Sequence, residues 1–169
     1  MAAFPKIIIP KDIKRRYSMT KNFRRIIVMS ILSTVLAACA GERPNNLGTQ
    51  NGRLAPCPGS PNCVSSYAED KKHHITPLAF SDAPHSAFKR LKLVLEQRND
   101  TTIITESPGY LRVEFHTTLF VDDGEFLLDQ QQPVIHVHSA SRIGYSDLGK
   151  NRNRMEDIRR EFELTAAKP

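Results

Sequence analysis

Between residues 110 and 139 the chain alternates apolar and polar side chains at period two, in two separate runs. From Tyr110 to Thr117, Leu111, Val113 and Phe115 point one way, while Tyr110, Arg112, Glu114 and His116 point the other. From Val134 to Ser139, Ile135 and Val137 take the apolar side. Strands with a single apolar face belong to an antiparallel sheet whose core lies on one side. Helical stripes flank these runs. Ala87, Phe88, Leu91, Val94 and Leu95 recur at helical spacing after Ser81 or Asp82 as cap and Pro84 in the first turn, with an expected end near Arg98. Leu148, Met155, Ile158 and Phe162 mark a second helix over 149–164. Ser146 or Asp147 is its expected cap, and Asn151 and Arg152 fall on its inner face.

The other strands are shorter. Ile75–Phe80 reads as an extended piece, placed at an edge by Pro77. Thr101–Glu106 is β-branched and ends at the turn Ser107-Pro108-Gly109. Leu119–Val121 and Glu125–Leu128 are strand material around Asp122-Asp123-Gly124, which reads as a hairpin or as a continuous strand with a bulge. The order is β-α-β-β-β-β-α and the fold class α+β, a mostly antiparallel sheet with two helices on one face. That order resembles the helix-grip or TATA-binding-protein-like arrangement, a likeness that assigns no function.

The 169 residues suffice for one domain. The formal net charge of +6 suggests a nucleic-acid partner until its distribution is read. Residues 1–38 hold eight basic side chains against one acid, which leaves 16 basic and 17 acidic residues in 39–169. The body has no excess of cations for a phosphate backbone, and with no Trp it offers a poor stacking platform, so nucleic acid is excluded as a partner. The basic segment has another purpose. Lys21–Arg25, the apolar run Ile26–Leu36 and Ala37-Ala38-Cys39 follow the layout of a secretory signal. The apolar run is too short for a spanning helix, which needs about 20 residues. Leu36-Ala37-Ala38-Cys39 resembles the bacterial lipobox. The resemblance implies a diacylglyceryl group on Cys39, cleavage before it and acylation of its new amino group, hence a membrane partner through a lipid anchor. Ala40 in the next position implies sorting to the outer membrane, facing the periplasm. Met19 would begin a signal of ordinary length, so residues 1–18 are expected to be a start-site artefact. Residues 39–53 are polar and rich in Asn and Gly, and read as a flexible tether to a single domain over 54–164.

Cys57 and Cys63 bracket a turn-rich loop. In an oxidising compartment, and with Cys39 lipidated, the remaining pair reads as a disulfide; two free thiols or half a metal site are the alternatives.

Polar side chains are densest between the last strand and the last helix: Ser139, Ser141, Arg142, Tyr145, Ser146, Asp147, Asn151 and Arg152. Arg142 could fork onto a carboxylate or phosphate, and a helix start offers free N–H groups. This corner, with Asp122 and Asp123 nearby, is the candidate ligand site. Its other reading is a fold-holding turn in which Asp147 caps and the arginines neutralise Asp122, Asp123 or Glu125. Asp122, Asp123, Glu125 and Asp129 could also act as paired carboxylates, though pairing with Arg142, Arg152 or Arg154 is the simpler reading. His136 and His138 share one strand face and form a weak metal candidate, to which His116 adds a third imidazole if its strand is adjacent. No Gly-x-Ser-x-Gly elbow supports Ser65, Ser66, Ser139 or Ser141 as a nucleophile, and no dinucleotide or P-loop fingerprint implies a cofactor.

Four blocks follow one another along the chain: Cys57-Pro-x-Ser-Pro-Asn-Cys-Val-Ser-Ser66, Tyr110-Leu with Glu114-Phe115, Phe120-Val-Asp-Asp-x-Glu-Phe126, and Ser139-Ala-Ser-Arg-x-Gly-Tyr-Ser-Asp-Leu-Gly-x-Asn-Arg152. They resemble domain-of-unknown-function family 1499, found in bacterial envelopes, often as lipoproteins, and in plastids. Gly124 departs from the family pattern, which has a strand residue such as Val there. The resemblance implies location and domain bounds rather than a reaction. The expectation is therefore a lipid-anchored envelope module that binds a small anionic ligand, a lipid headgroup or an envelope protein. An envelope hydrolase or metal-dependent enzyme and a purely structural envelope protein are the alternatives.

Overall fold

The alternating run at 110–116 forms an interior strand, one in from the edge, of a six-stranded sheet in the computed structural model, which describes residues 41–166. In chain order the strands are β1 (Thr49–Gln50), β2 (Arg53–Leu54), β3 (Cys63–Ser65), β4 (Leu78–Ala79), β5 (Thr101–Ser107), β6 (Tyr110–His116), β7 (Val121–Leu128) and β8 (Val134–Ser141). The helices are α1 (Pro84–Glu96), between β4 and β5, and α2 (Lys150–Ala166) after β8. The sheet runs β3-β8-β7-β6-β5, all antiparallel, and β4 pairs with the other end of β8. The fold is α+β, and from β4 onward its order is the one the sequence predicts. The leader 1–38 and Cys39 lie outside the described residues.

Both helices send their stripes to one face of the sheet. Ala87, Leu91, Val94 and Leu95 of α1 and Met155, Ile158 and Phe162 of α2 pack with Leu111, Val113, Phe115, Phe126, Ile135 and Val137 in one buried cluster. Each of these side chains larger than alanine contributes on the order of 1.5–3 kcal/mol of transfer free energy.

Several local expectations change. Asp122-Asp123-Gly124 is no hairpin: β7 runs unbroken against β6 from Tyr110↔Leu127 to His116↔Val121 without a bulge. The chain reverses instead at 117–120, where the Thr117 N–H donates to the Phe120 carbonyl, so Leu119 and Phe120 are turn rather than strand. Gly124 fits because Phe115 lies across it; a Cβ there would stand 2.3 Å from the ring. Ala83, not Ser81 or Asp82, precedes α1, with Pro84 opening the helix and Asp82 bound to Arg90 at 2.8 Å. Leu148 is outside the stripe of α2, in left-handed backbone (φ 55) and 93% exposed. The buried polar side chains of α2 are Asn151 and Arg154, while Arg152 is only partly covered.

Nor do residues 41–53 hang as a loose tether. Asn51 and Gly52 both take positive φ (52 and 73), which turns β1 into β2 as a two-residue hairpin. That hairpin lies over the face of the sheet opposite the helices, where the Gly48 N–H donates to Glu125 Oε1 at 2.6 Å.

Candidate functional site

Adjacent residues of a strand face opposite sides, so the polar corner expected at 139–152 is divided by the sheet itself. Asp122, Ser139 and Ser141 point to the helices; Asp123 and Arg142 point away from them.

On the helix side Asn151 is the hub. It accepts from the Ser139 hydroxyl at 2.5 Å and donates to Ser141 Oγ, Asp147 Oδ2 and the Asn62 carbonyl. Asn62, unassigned in the sequence reading, donates in turn to the carbonyls of Gly144 and Ser141. The first and last of the four sequence blocks are thereby tied together by a pair of asparagines. Arg154 meets Asp122 at 2.9 Å. Asp147 caps as expected, accepting from the N–H groups of Gly149 and Asn151. Arg152 donates to the carbonyls of His74 and Lys72, which binds the start of α2 to the 70–74 loop.

On the far side Arg142 forks onto Asp123 at 2.7 and 2.8 Å and reaches Glu114 at 2.5 Å. The Asp123 bond, working against burial, raises the guanidinium above its ordinary pKa, and Arg142 outweighs burial to hold Glu114 below its own. Arg112 approaches Asp123 at 3.7 Å. With its side chain 7% exposed and its Nε and Nη2 donors bound to Asp123 and Glu114, Arg142 is part of the framework. Gly41 runs directly above it; a Cβ there would fall 2.8 Å from Arg142 Cβ and 2.7 Å from Ile143 Cγ1.

His136 and His138 share this face, as expected, but turn to different partners. His136 lies between Ser66 Oγ (3.0 Å) and Asp129 Oδ2 (3.1 Å), with Tyr67 stacked on its ring at 4.0 Å. Ser66 Oγ also accepts the Val137 N–H at 3.0 Å, so this hydroxyl fastens the end of β3 to β8. Asp129 is held below its ordinary pKa chiefly by the N–H groups of Gln131 and Gln132, in a turn. The contact line has the members of a nucleophilic triad, but its serine and aspartate serve strand and turn. His138 is 3.4 Å from both Cys63 Sγ and Glu125 Oε2. The sulfurs of Cys57 and Cys63 are joined in a disulfide. The two histidines therefore share no metal position; the one possible ligand group among the described residues is Cys57, Cys63 and His138, whose sulfurs are bonded to each other.

Several hollows open on the surface of the described residues, and one of them lies at the end of the sheet. A hollow of about 330 Å3 separates the 117–120 turn from the 143–150 loop, bordered by Phe120, Ile143, Gly144, Leu148 and Lys150, with Asp122 and Ser141 behind. Leu119, Phe120, Ile143 and Leu148 are exposed on these two loops, and Tyr145 is 74% exposed between the last two. Arg142 and Tyr145 do not line the hollow.

The described residues form an α+β domain with helices on one face of its sheet and an apolar-rimmed hollow at one end. A family model described as a protein of unknown function, DUF1499, matches residues 53–162, and the chain belongs to that family. None of the curated proteins compared with the chain matches it.

Proposed function

We propose that this chain is an envelope lipoprotein, anchored through Cys39 to the periplasmic face of the outer membrane. Its domain is a binding module that takes a lipid-like amphiphile at the hollow between 117–120 and 143–150. The observation that carries this reading is the rim. Leu119, Phe120, Ile143 and Leu148 are 56%, 49%, 42% and 93% exposed, and all sit on the two loops that border one hollow. Single exposed apolar residues are ordinary; a gathered set marks a contact surface. Leu148 is also kept in left-handed backbone, which disfavours a leucine by roughly 1–2 kcal/mol.

The position of Gly41 supports a lipid as the partner. Gly41 packs on Ile143, a rim residue, and Cys39 is two residues upstream, within about 7 Å along the chain. An anchor there holds the rim at the bilayer surface. An acyl chain then meets Phe120, Ile143 and Leu148, and an anionic headgroup meets Lys150. The hollow's own carboxylates are already engaged, Asp122 in an ion pair with Arg154 and Asp147 by the N–H groups it accepts.

Dodecyl phosphate, titrated below its micelle concentration into the full chain, tests the site. Saturable 1:1 binding that weakens about tenfold in Leu148→Ser is expected from the loss of one buried leucine. Absence of saturable binding, or binding indifferent to Phe120→Ser and Leu148→Ser together, would refute it. Labelled palmitate should enter the chain in cells and be lost in Cys39→Ser.

A further inference from the structure

A closed disulfide carries no charge and binds no proton, yet ionisable groups stand in line behind Cys57–Cys63. His138, 4% exposed, places Nε2 3.4 Å from Cys63 Sγ. Its Nδ1 is 3.4 Å from Oε2 of Glu125, a fully buried carboxylate. Both Nδ1 and Oε2 are buried and make no hydrogen bond among the described residues, so each is the nearest polar group left to the other. Glu125 Oε1 is fixed at 2.6 Å by both the Tyr110 hydroxyl and the Gly48 N–H. Burial raises the Glu125 pKa, but His138, Tyr110 and Gly48 together outweigh it and keep this group a carboxylate. A proton on Nδ1 would face this carboxylate and leave the Nε2 lone pair facing the sulfur. This arrangement is idle beside a disulfide and useful beside a thiolate, which a neighbouring imidazolium stabilises.

We propose that Cys57–Cys63 is a redox-active disulfide, opened by exchange with an external dithiol at Cys57, and that His138, positioned by Glu125, stabilises Cys63 as the departing thiolate. Exposure decides which sulfur is attacked: Cys63 is 1% exposed, whereas Cys57 is partly open on its loop. The donor thiolate bonds to Cys57 Sγ, and the electron pair of the S–S bond leaves on Cys63 Sγ. A proton released by the donor settles on His138 Nε2, giving a thiolate–imidazolium pair backed by Glu125. The donor's second thiolate then attacks its own sulfur in the mixed disulfide and releases Cys57. The protein gains two electrons and the dithiol leaves as a disulfide. A good leaving thiolate speeds the first step. A metal site is the less fitting use of the cluster, because it supplies three ligand atoms where a structural zinc takes four. The proposal does not depend on the hollow or on its ligand.

Two measurements on the full chain decide it. In Cys57→Ser, where Cys63 is a free thiol, thiolate absorbance at 240 nm should persist down to about pH 6, against about 8.5 for an ordinary cysteine. Adding His138→Asn should return that titration to the ordinary range. In the otherwise unaltered chain, dithiothreitol at pH 7 should reduce the disulfide without unfolding, and His138→Asn should slow that reduction about tenfold. Should His138→Asn not fold, the Cys57→Ser titration alone decides. The proposal fails if Cys63 titrates at or above 8.5, if the disulfide yields only in denaturant, or if the protein as isolated carries stoichiometric zinc on reduced thiols.

Discussion

On the helix side of the sheet, Leu111, Val113, Phe115, Phe126, Ile135 and Val137 are buried among apolar side chains. On the other side, Arg112, Asp123, Glu125 and His138 are buried almost as completely. The same strands supply both sets, one residue out of phase. The apolar face needs only shape and volume, because dispersion and water exclusion have no direction. The far face needs named partners, since an isolated buried charge is very costly. Its cover is correspondingly specific: Gly48 meets Glu125, Arg43 approaches Glu114 at 3.7 Å, and Gly41 passes over Arg142. The helices could be repacked with other apolar residues. The segment 41–55 could not be exchanged without stranding a charge.

The largest expected effect breaks the far face. Arg142→Ala leaves Asp123 and Glu114 without their main cation and should destabilise the fold by about 3–5 kcal/mol in urea unfolding. Phe126→Ala on the helix side should lose a similar amount, about 3–5 kcal/mol, by a cavity instead. The mechanisms separate on acidification. The folded pKa values of Glu125 and Glu114 lie below their ordinary value of 4.5. Their contribution is therefore present above pH 4.5 and is lost as pH falls through the lowered folded values. Urea midpoints measured across this range should fall less steeply in Glu125→Gln than in the unaltered chain, and Phe126→Ala should leave the slope unchanged.

Gly124→Val is the next in size. The added Cβ meets the Phe115 ring, and the overpacking should destabilise by about 1–3 kcal/mol. An unchanged melting temperature would mean that Phe115 is free to move aside. The smallest effect has the opposite sign. Leu148→Gly relieves left-handed strain and should stabilise the domain by about 1 kcal/mol while weakening amphiphile binding. Stabilisation without loss of binding would separate the strained turn from the site.

The apolar face was legible because period two and period 3.6 are local properties. The alternation at 110–117 located β6, and the stripes located both helices. The division of the polar corner was not legible. Asp122 and Asp123 go to opposite faces only if β7 is continuous, and Asp-Gly reads equally well as a turn. Helix phase separated Arg152 from Arg154: once α2 begins at Lys150, the buried positions are 151, 154, 155, 158 and 162. The cover of the far face did leave a signal. Asn51-Gly52 is a strong hairpin pair, obscured by a polar composition that suits a tether. Asn62 stands inside the Cys57–Ser66 block, but its partners at 141, 144 and 151 are distant in sequence and known only from the fold.

Amide shifts of the isotope-labelled full chain, followed during titration with dodecyl phosphate, test the binding site most directly. Saturating changes confined to 117–122 and 141–150, with β5 and the far-face residues Arg112 and Glu125 unmoved, are the predicted result. Changes centred elsewhere, such as the shallow hollow of Val94, Gln97, Arg98 and Leu164, or no saturable change at all, would contradict the account.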